Sequence, residues 1–150
     1  MNDESYIKKC IELAKKSEIQ KEIPVGALLI IDNDIIFESH NSPICDNDPT
    51  SHAEINVIRR ACSKINNYRL NNATLYISLE PCIMCIGAIG EARIDRVIFG
   101  AYADNEKKFN EKISFYKRNC NVDHMPEFVG GILKDDCSLI IKDFFKRKRS

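Results

Sequence analysis

ATLYISLEPCIMC, residues 73–85, decides the fold. Its first half is a run of β-branched, aromatic and apolar residues, Ala73 to Leu79, which is the composition of a buried strand. Pro81 then suits the opening of a helix, because its missing N–H would be unpaired in a first turn anyway. Cys82 and Cys85 follow at a spacing that puts both on one helix face. Strand followed directly by helix is the unit of an α/β protein, and the neighbouring segments repeat it.

Upstream, Thr50 or Ser51 is placed to cap a helix running to about Lys64. Residues 40–51, HNSPICDNDPTS, read as loop. VGALLIID (25–32) and IIFES (35–39) read as two strands joined at Asp32–Asn33–Asp34, a hairpin. Ile7, Cys10, Ile11 and Ala14 recur at helical spacing between Glu4 and about Ser17. Downstream, RVIFGA (96–101) is a further strand and PEFV (126–129) a short last one, closed by Gly130–Gly131. Leu133, Cys137, Ile140, Ile141 and Phe144 form the stripe of a final helix. Residues 102–124 are polar and charged and are left unassigned. Strands alternating with helices predict an α/β sandwich, with helices on both faces of a mixed sheet.

The chain has 150 residues and 44% apolar content, the size and composition of one globular domain, residues 1–150. No run is long and apolar enough to cross a bilayer, and the polar opening MNDESYIKKC has no secretory signature, so a cytoplasmic location is expected. In that reducing setting seven cysteines are expected as free thiols or metal ligands, not as a disulfide framework. Twenty-two basic residues balance 22 acidic ones, so overall charge does not advertise a nucleic-acid binder. The end of the chain departs from that balance, with Lys142, Lys146, Arg147, Lys148 and Arg149 against Asp143. Charge alone leaves two readings for this tail: a helix end whose cations complement the macrodipole, or a patch that contacts phosphates.

The cysteine pair admits a disulfide, a redox couple or half of a metal site. DPTSHAEI (48–55) favours the last, since it puts His52 and Glu54 in the first turn of the preceding helix. If the two helix tips face each other, one imidazole and two thiolates meet, a donor set that selects zinc over magnesium or calcium. Three donors leave one corner of a zinc tetrahedron for water, and a nearby carboxylate such as Glu54 is placed to act as its general base. A structural site would instead be closed by a fourth donor, Cys45 or Cys62.

HAE (52–54) with PCIMC (81–85) resembles the zinc-dependent nucleobase deaminases. EIPVGALL (22–29), HNSP (40–43), DPTSHAEI, NYRLNNATLYISLEPCIMC (67–85), ARIDRVIFGA (92–101) and GGILKDDCSLIIKDFFKRKR (130–149) narrow the resemblance to the tRNA adenosine deaminase branch, over most of the chain. It implies a three-layer α/β/α sandwich on a five-stranded mixed sheet, the cytidine deaminase-like fold. It implies one zinc ion per subunit, held by His52, Cys82 and Cys85, with Glu54 as proton shuttle. Asn41 would contact the target nucleotide, although an Asx turn ahead of Pro43 is its plainer reading. Lys146, Arg147, Lys148 and Arg149 would contact RNA. The implied activity is conversion of a wobble adenosine to inosine in a tRNA anticodon stem-loop, by a homodimer. Deamination of a free base or nucleotide, of cytosine or guanine type, is the alternative; a non-catalytic zinc module that binds RNA is a more distant one. After FGA the family usually continues with aspartate, lysine and glycine at close spacing. YADNEKKFNEKISFYKRN here offers Asp104 and Lys107 but no glycine, so the contacts of that region are open.

Overall fold

The computed structural model describes residues 1–149. In chain order the elements are α1 (Asp3–Ile19), β1 (Gly26–Ile31), β2 (Asp34–His40), α2 (Pro43–Asp46), α3 (Ala53–Ile65), β3 (Ala73–Leu79), α4 (Ile83–Glu91), β4 (Arg96–Ala101), α5 (Glu106–Asn119), β5 (Glu127–Val129) and α6 (Lys134–Arg149). The five strands form one mixed sheet in the order β2-β1-β3-β4-β5. β1 is antiparallel to both its neighbours, whereas β3, β4 and β5 are parallel. Parallel neighbours need a crossover, and α4 and α5 supply the two.

Alternation along the strands separates two cores. Ala27, Leu29, Leu75, Ile77, Val97 and Phe99 face Ala53, Val57 and Ala61 of α3, Ile89 of α4 and Phe109 of α5. Leu28, Ile30, Tyr76 and Ile98 face the other way, onto Tyr6, Ile7 and Cys10 of α1 and Cys137 of α6. The result is the expected three-layer sandwich. Between β1 and β2, Asp32 and Asn33 both take positive φ (51° and 66°), the two-residue turn whose twist matches a hairpin. Gly100 in β4 sets the seat of α6: a Cβ there would collide with the Cys137 side chain and would stand 2.8 Å from Ser78 O.

Several details differ from expectation; Pro81, expected to open a helix, lies outside α4, one residue ahead of its N-cap Cys82. The stretch read as loop contains the short helix α2. Residues 102–124 contain the 14-residue helix α5. Leu133 lies one residue ahead of α6 at φ 54°, and its carbonyl accepts from Cys137 N at 3.1 Å, so it caps the stripe instead of belonging to it.

The register gathers the loops that matter. Gly26, at the start of β1, pairs with His40 at the end of β2. Ala27 pairs with Ile77 near the end of β3, and Leu79 pairs with Ala101 at the end of β4. The segments that leave β2, β3 and β4 therefore emerge at one edge of the sheet, the carboxyl edge where α/β proteins place their ligands.

Candidate active site

Two of those segments end in helix tips, and each tip carries a donor where a cap is normally found. His52 is the N-cap of α3 (φ −70°, ψ 154°) and Cys82 the N-cap of α4 (φ −75°, ψ 173°). Neither side chain caps its own helix. Serine, threonine, aspartate or asparagine would serve the helices better, so these positions answer to something other than local stability. Thr50 and Ser51, the expected caps, lie just outside; Ser51 is buried and its hydroxyl donates to Asp46 Oδ2 at 2.5 Å.

The donors converge. His52 Nδ1 stands 3.6 Å from Cys82 Sγ and 3.6 Å from Cys85 Sγ. Ordinary zinc–sulfur and zinc–nitrogen bond lengths set a sulfur-to-nitrogen tetrahedral edge of about 3.6 Å, so the spacing fits that ion without rearrangement. Among the described residues these three alone form a His/Cys/Asp/Glu group close enough to share a metal. Cys45 is exposed and turns to Gln20 Oε1 at 3.5 Å; Cys62 packs against the apolar core. The closed structural sphere is therefore not built. All seven cysteines are free, as expected.

Charge at the site is organised by hydrogen bonds and burial. The Cys82 thiol is pulled down to about 3 by a hydrogen bond from Cys85 and then by His52. Cys85 is pushed up, first by that same hydrogen bond and then by burial. The His52 imidazole is raised through its contact with Cys82. Glu54, the second residue of α3, is only 4% exposed, and burial holds its carboxyl above the usual carboxylate range. It lies against Cys85 and within the fields of His52 and Cys82. The arrangement is a group of three soft donors that could hold a metal ion, with a buried carboxylate at its flank.

Residues 1–101 match the family described as the cytidine and deoxycytidylate deaminase zinc-binding region. A tRNA-specific adenosine deaminase of Buchnera aphidicola subsp. Baizongia pistaciae is 43% identical over 99% of this chain and 91% of its own. The chain belongs to the tRNA-specific adenosine deaminase family. A solved structure from a study of A-to-I editing by tRNA:A34 deaminases at the wobble position of transfer RNA superposes with TM-score 0.83 at 34% identity, covering 91% of this chain and 98% of that one. A guanine deaminase from Bacillus subtilis is 32% identical with TM-score 0.67, covering 99% and 94%.

Within this tRNA-specific adenosine deaminase family chain, Asn41 is buried directly after β2. Its backbone N–H donates to Val25 O and its carbonyl accepts from Ser17 Oγ, each at 3.0 Å. The next residue, Ser42, donates its N–H to Ser51 O at 3.0 Å, which ties Asn41 to the segment leading into His52. Glu22, also buried, accepts from the N–H groups of Ile44 and Cys45 at 3.1 and 2.9 Å and so holds α2 in place. No periodic pattern in the sequence points to Glu22.

The tail comes to the same edge. Arg147 pairs with Glu18 at the end of α1, next to the Ser17 that holds Asn41. Lys148 Nζ lies 5.7 Å from the centre of the Phe144 ring, and Lys146, Lys148 and Arg149 are exposed. In the region that departs from the family pattern, Asp104 pairs with Lys108 at 2.7 Å, one turn on, and not with Lys107. Residues missed by sequence reading are Glu80 and Lys112, which meet at 2.5 Å beside Pro81. The signal for Glu80 was its place directly ahead of the cysteine motif; Lys112 lay in the unassigned stretch.

Proposed function

We propose that this protein deaminates the wobble adenosine of a tRNA anticodon loop to inosine, as its family name implies. The single observation that carries this reading is the convergence of His52 Nδ1 and two cysteine sulfurs at 3.6 Å, with the buried Glu54 carboxylate beside them. His52, Cys82 and Cys85 hold the zinc ion, which when bound brings the pKa of a coordinated water to about 7. Glu54 would accept one proton from the attacking water and deliver it to N1 of the adenine, then take the remaining proton from the new hydroxyl at C6 and pass it to the amino group, which leaves as ammonia. Its burial places its pKa nearer the working pH than that of a solvated carboxylate, which suits a group that must both take and give a proton. Adenosine and water thus become inosine and ammonia.

Substrate access requires the target base to leave its stack, and an unpaired anticodon loop offers it at small cost. Asn41 contacts the flipped nucleotide; its own hydrogen bonds to the protein run through the backbone. Lys146, Arg147, Lys148 and Arg149 meet phosphates. Support comes from a groove of about 880 Å³ between the ends of α1 and α6 and α2. Ile19, Ile44 and Phe144 line it alongside Lys15, Lys21 and Lys148, an apolar floor with a cationic rim.

The 150 residues act as one deaminase domain, paired with a second copy, in the cytoplasm. Ile83 (52% exposed, next to Cys82) and Tyr68 (73% exposed) supply apolar surface for such pairing. No helix among the described residues is long and apolar enough to cross a membrane. The deciding experiment incubates the purified protein with an anticodon stem-loop carrying adenosine at the wobble position, and separately with free guanine and cytosine. Inosine detected by mass spectrometry in the RNA, with no ammonia from the free bases, is the expected result. Ammonia from a free base with an unchanged stem-loop would replace this reading with the free-base alternative.

A further inference from the structure

Helix α5 reaches the metal site through one lysine. Lys112 Nζ lies 2.5 Å from Glu80 Oε2 and donates to the carbonyl of Pro81 at 3.1 Å. The other Glu80 oxygen accepts from Ala103 N at 2.6 Å, and Glu80 N donates to Ala101 O at 2.9 Å. Glu80 is nearly enclosed, its side chain 6% exposed, and Lys112 is 30% exposed. The end of β3, the exit of β4 and the middle of α5 are thereby tied at one point.

That point adjoins the cysteine motif in a specific way. The Pro81 carbonyl belongs to the same planar peptide group as the nitrogen of Cys82. A cation held on that oxygen restrains the plane, and with it the Cα of Cys82; two rotations, about N–Cα and Cα–Cβ, then separate the anchored peptide from Sγ. The Cys82 side chain makes no capping bond, and its helix holds the residue through its carbonyl, which accepts from Ile86 N at 2.9 Å, so the Pro81 contact restrains the peptide on the other side of Cys82. Groups that orient metal ligands from behind typically change metal affinity 10–100-fold when removed.

We infer that Lys112 is a positioning residue for Cys82, and that α5 braces the metal site through the Glu80–Lys112–Pro81 contact. This rests on the zinc-site reading above. The experiment measures zinc affinity by competition with a chromogenic chelator in wild type, Lys112→Met, Lys112→Arg and the double variant Glu80→Gln/Lys112→Met. Wild type should bind one zinc ion per chain, and Lys112→Met should bind it about 10–100-fold more weakly. Lys112→Arg, which keeps a donor for the Pro81 carbonyl, should recover most of that loss. The double variant removes the unpaired carboxylate charge; a role in carbonyl anchoring requires it to stay at least about tenfold weak. It also stands in for Lys112→Met if that single variant does not fold. Affinity within about twofold of wild type, in Lys112→Met or in the double variant, would sink the brace while leaving the zinc site intact. A wild type that takes up no zinc would sink the zinc-site reading and the brace together.

Discussion

Helices α4 and α5 follow successive parallel strands, yet they are built on opposite terms. α4 is IMCIGAIGE, with Cys85, Ile86 and Ile89 buried, no charged residue in its first turn and a cysteine that makes no capping bond at its N-cap. α5 is EKKFNEKISFYKRN, with Phe109 as its one buried residue. It has every local support that α4 lacks. The Asn105 side chain accepts from Lys108 N at 2.9 Å; Glu106 lies at the positive end of the macrodipole, and Lys117 and Arg118 lie at the negative end. The helix with the cysteine pair relies on tertiary packing, and the helix beside it adds local supports to a smaller packed face. Local rules are thus broken where three soft donors converge and obeyed where none do.

The sharpest way to break that contrast is Cys82→Ser. Serine is a preferred cap, so the metal-free protein should lose no thermal stability, and a gain of up to ~1 kcal/mol is expected. Zinc and deamination should both vanish; metal analysis and inosine formation check them, and normal metal content would refute the ligand assignment. Glu54→Gln should come next in size. It keeps all three donors, so zinc stoichiometry should hold while turnover falls about 10²–10⁴-fold. Retained turnover would remove Glu54 from its role as proton carrier.

Phe109→Ala probes the other helix. Phe109 packs with its ring centre 4.8 Å from that of Phe99 and 5.4 Å from that of Phe128, and no other α5 residue is buried. A loss of ~3–5 kcal/mol in urea unfolding is expected. A loss below 1 kcal/mol would mean that Phe109 is not the main anchor of α5. The smallest effect belongs to the tail. Replacing Lys146, Lys148 and Arg149 together with alanine should weaken stem-loop binding and flatten the dependence of log K on log salt by about 2, the value for three contacts to single-stranded RNA. An unchanged slope would assign these cations to the helix end alone.

The same contrast explains what the sequence made legible. Central strands buried on both faces announce themselves as apolar runs, and Asp32–Asn33 marks the hairpin because both residues tolerate positive φ. His52 and the cysteine pair were readable because donor types at fixed spacing on helix tips carry chemistry in the residue names. α5 was harder to read, because Phe109 is its one fully buried residue and Ile113, which packs against the same core, stands among charged neighbours. His52 took the cap position ahead of Thr50 and Ser51 because Ser51 is drawn into hydrogen bonds with Asp46 and Asn56. The Lys112–Pro81 contact spans 31 positions and depends on a carbonyl, which no side-chain pattern encodes.

The bare backbone of Gly100 gives α6 a zero mark. Because Cys137 is seated on that strand, every later residue of the helix is displayed at a fixed distance and azimuth from the sheet edge where the thiols lie. Lys148 falls ~16 Å along the axis from that mark. Inserting a single residue between them would swing the terminal cations ~100° around the rod without altering one of them, so α6 works as a graduated pointer whose calibration is a missing side chain.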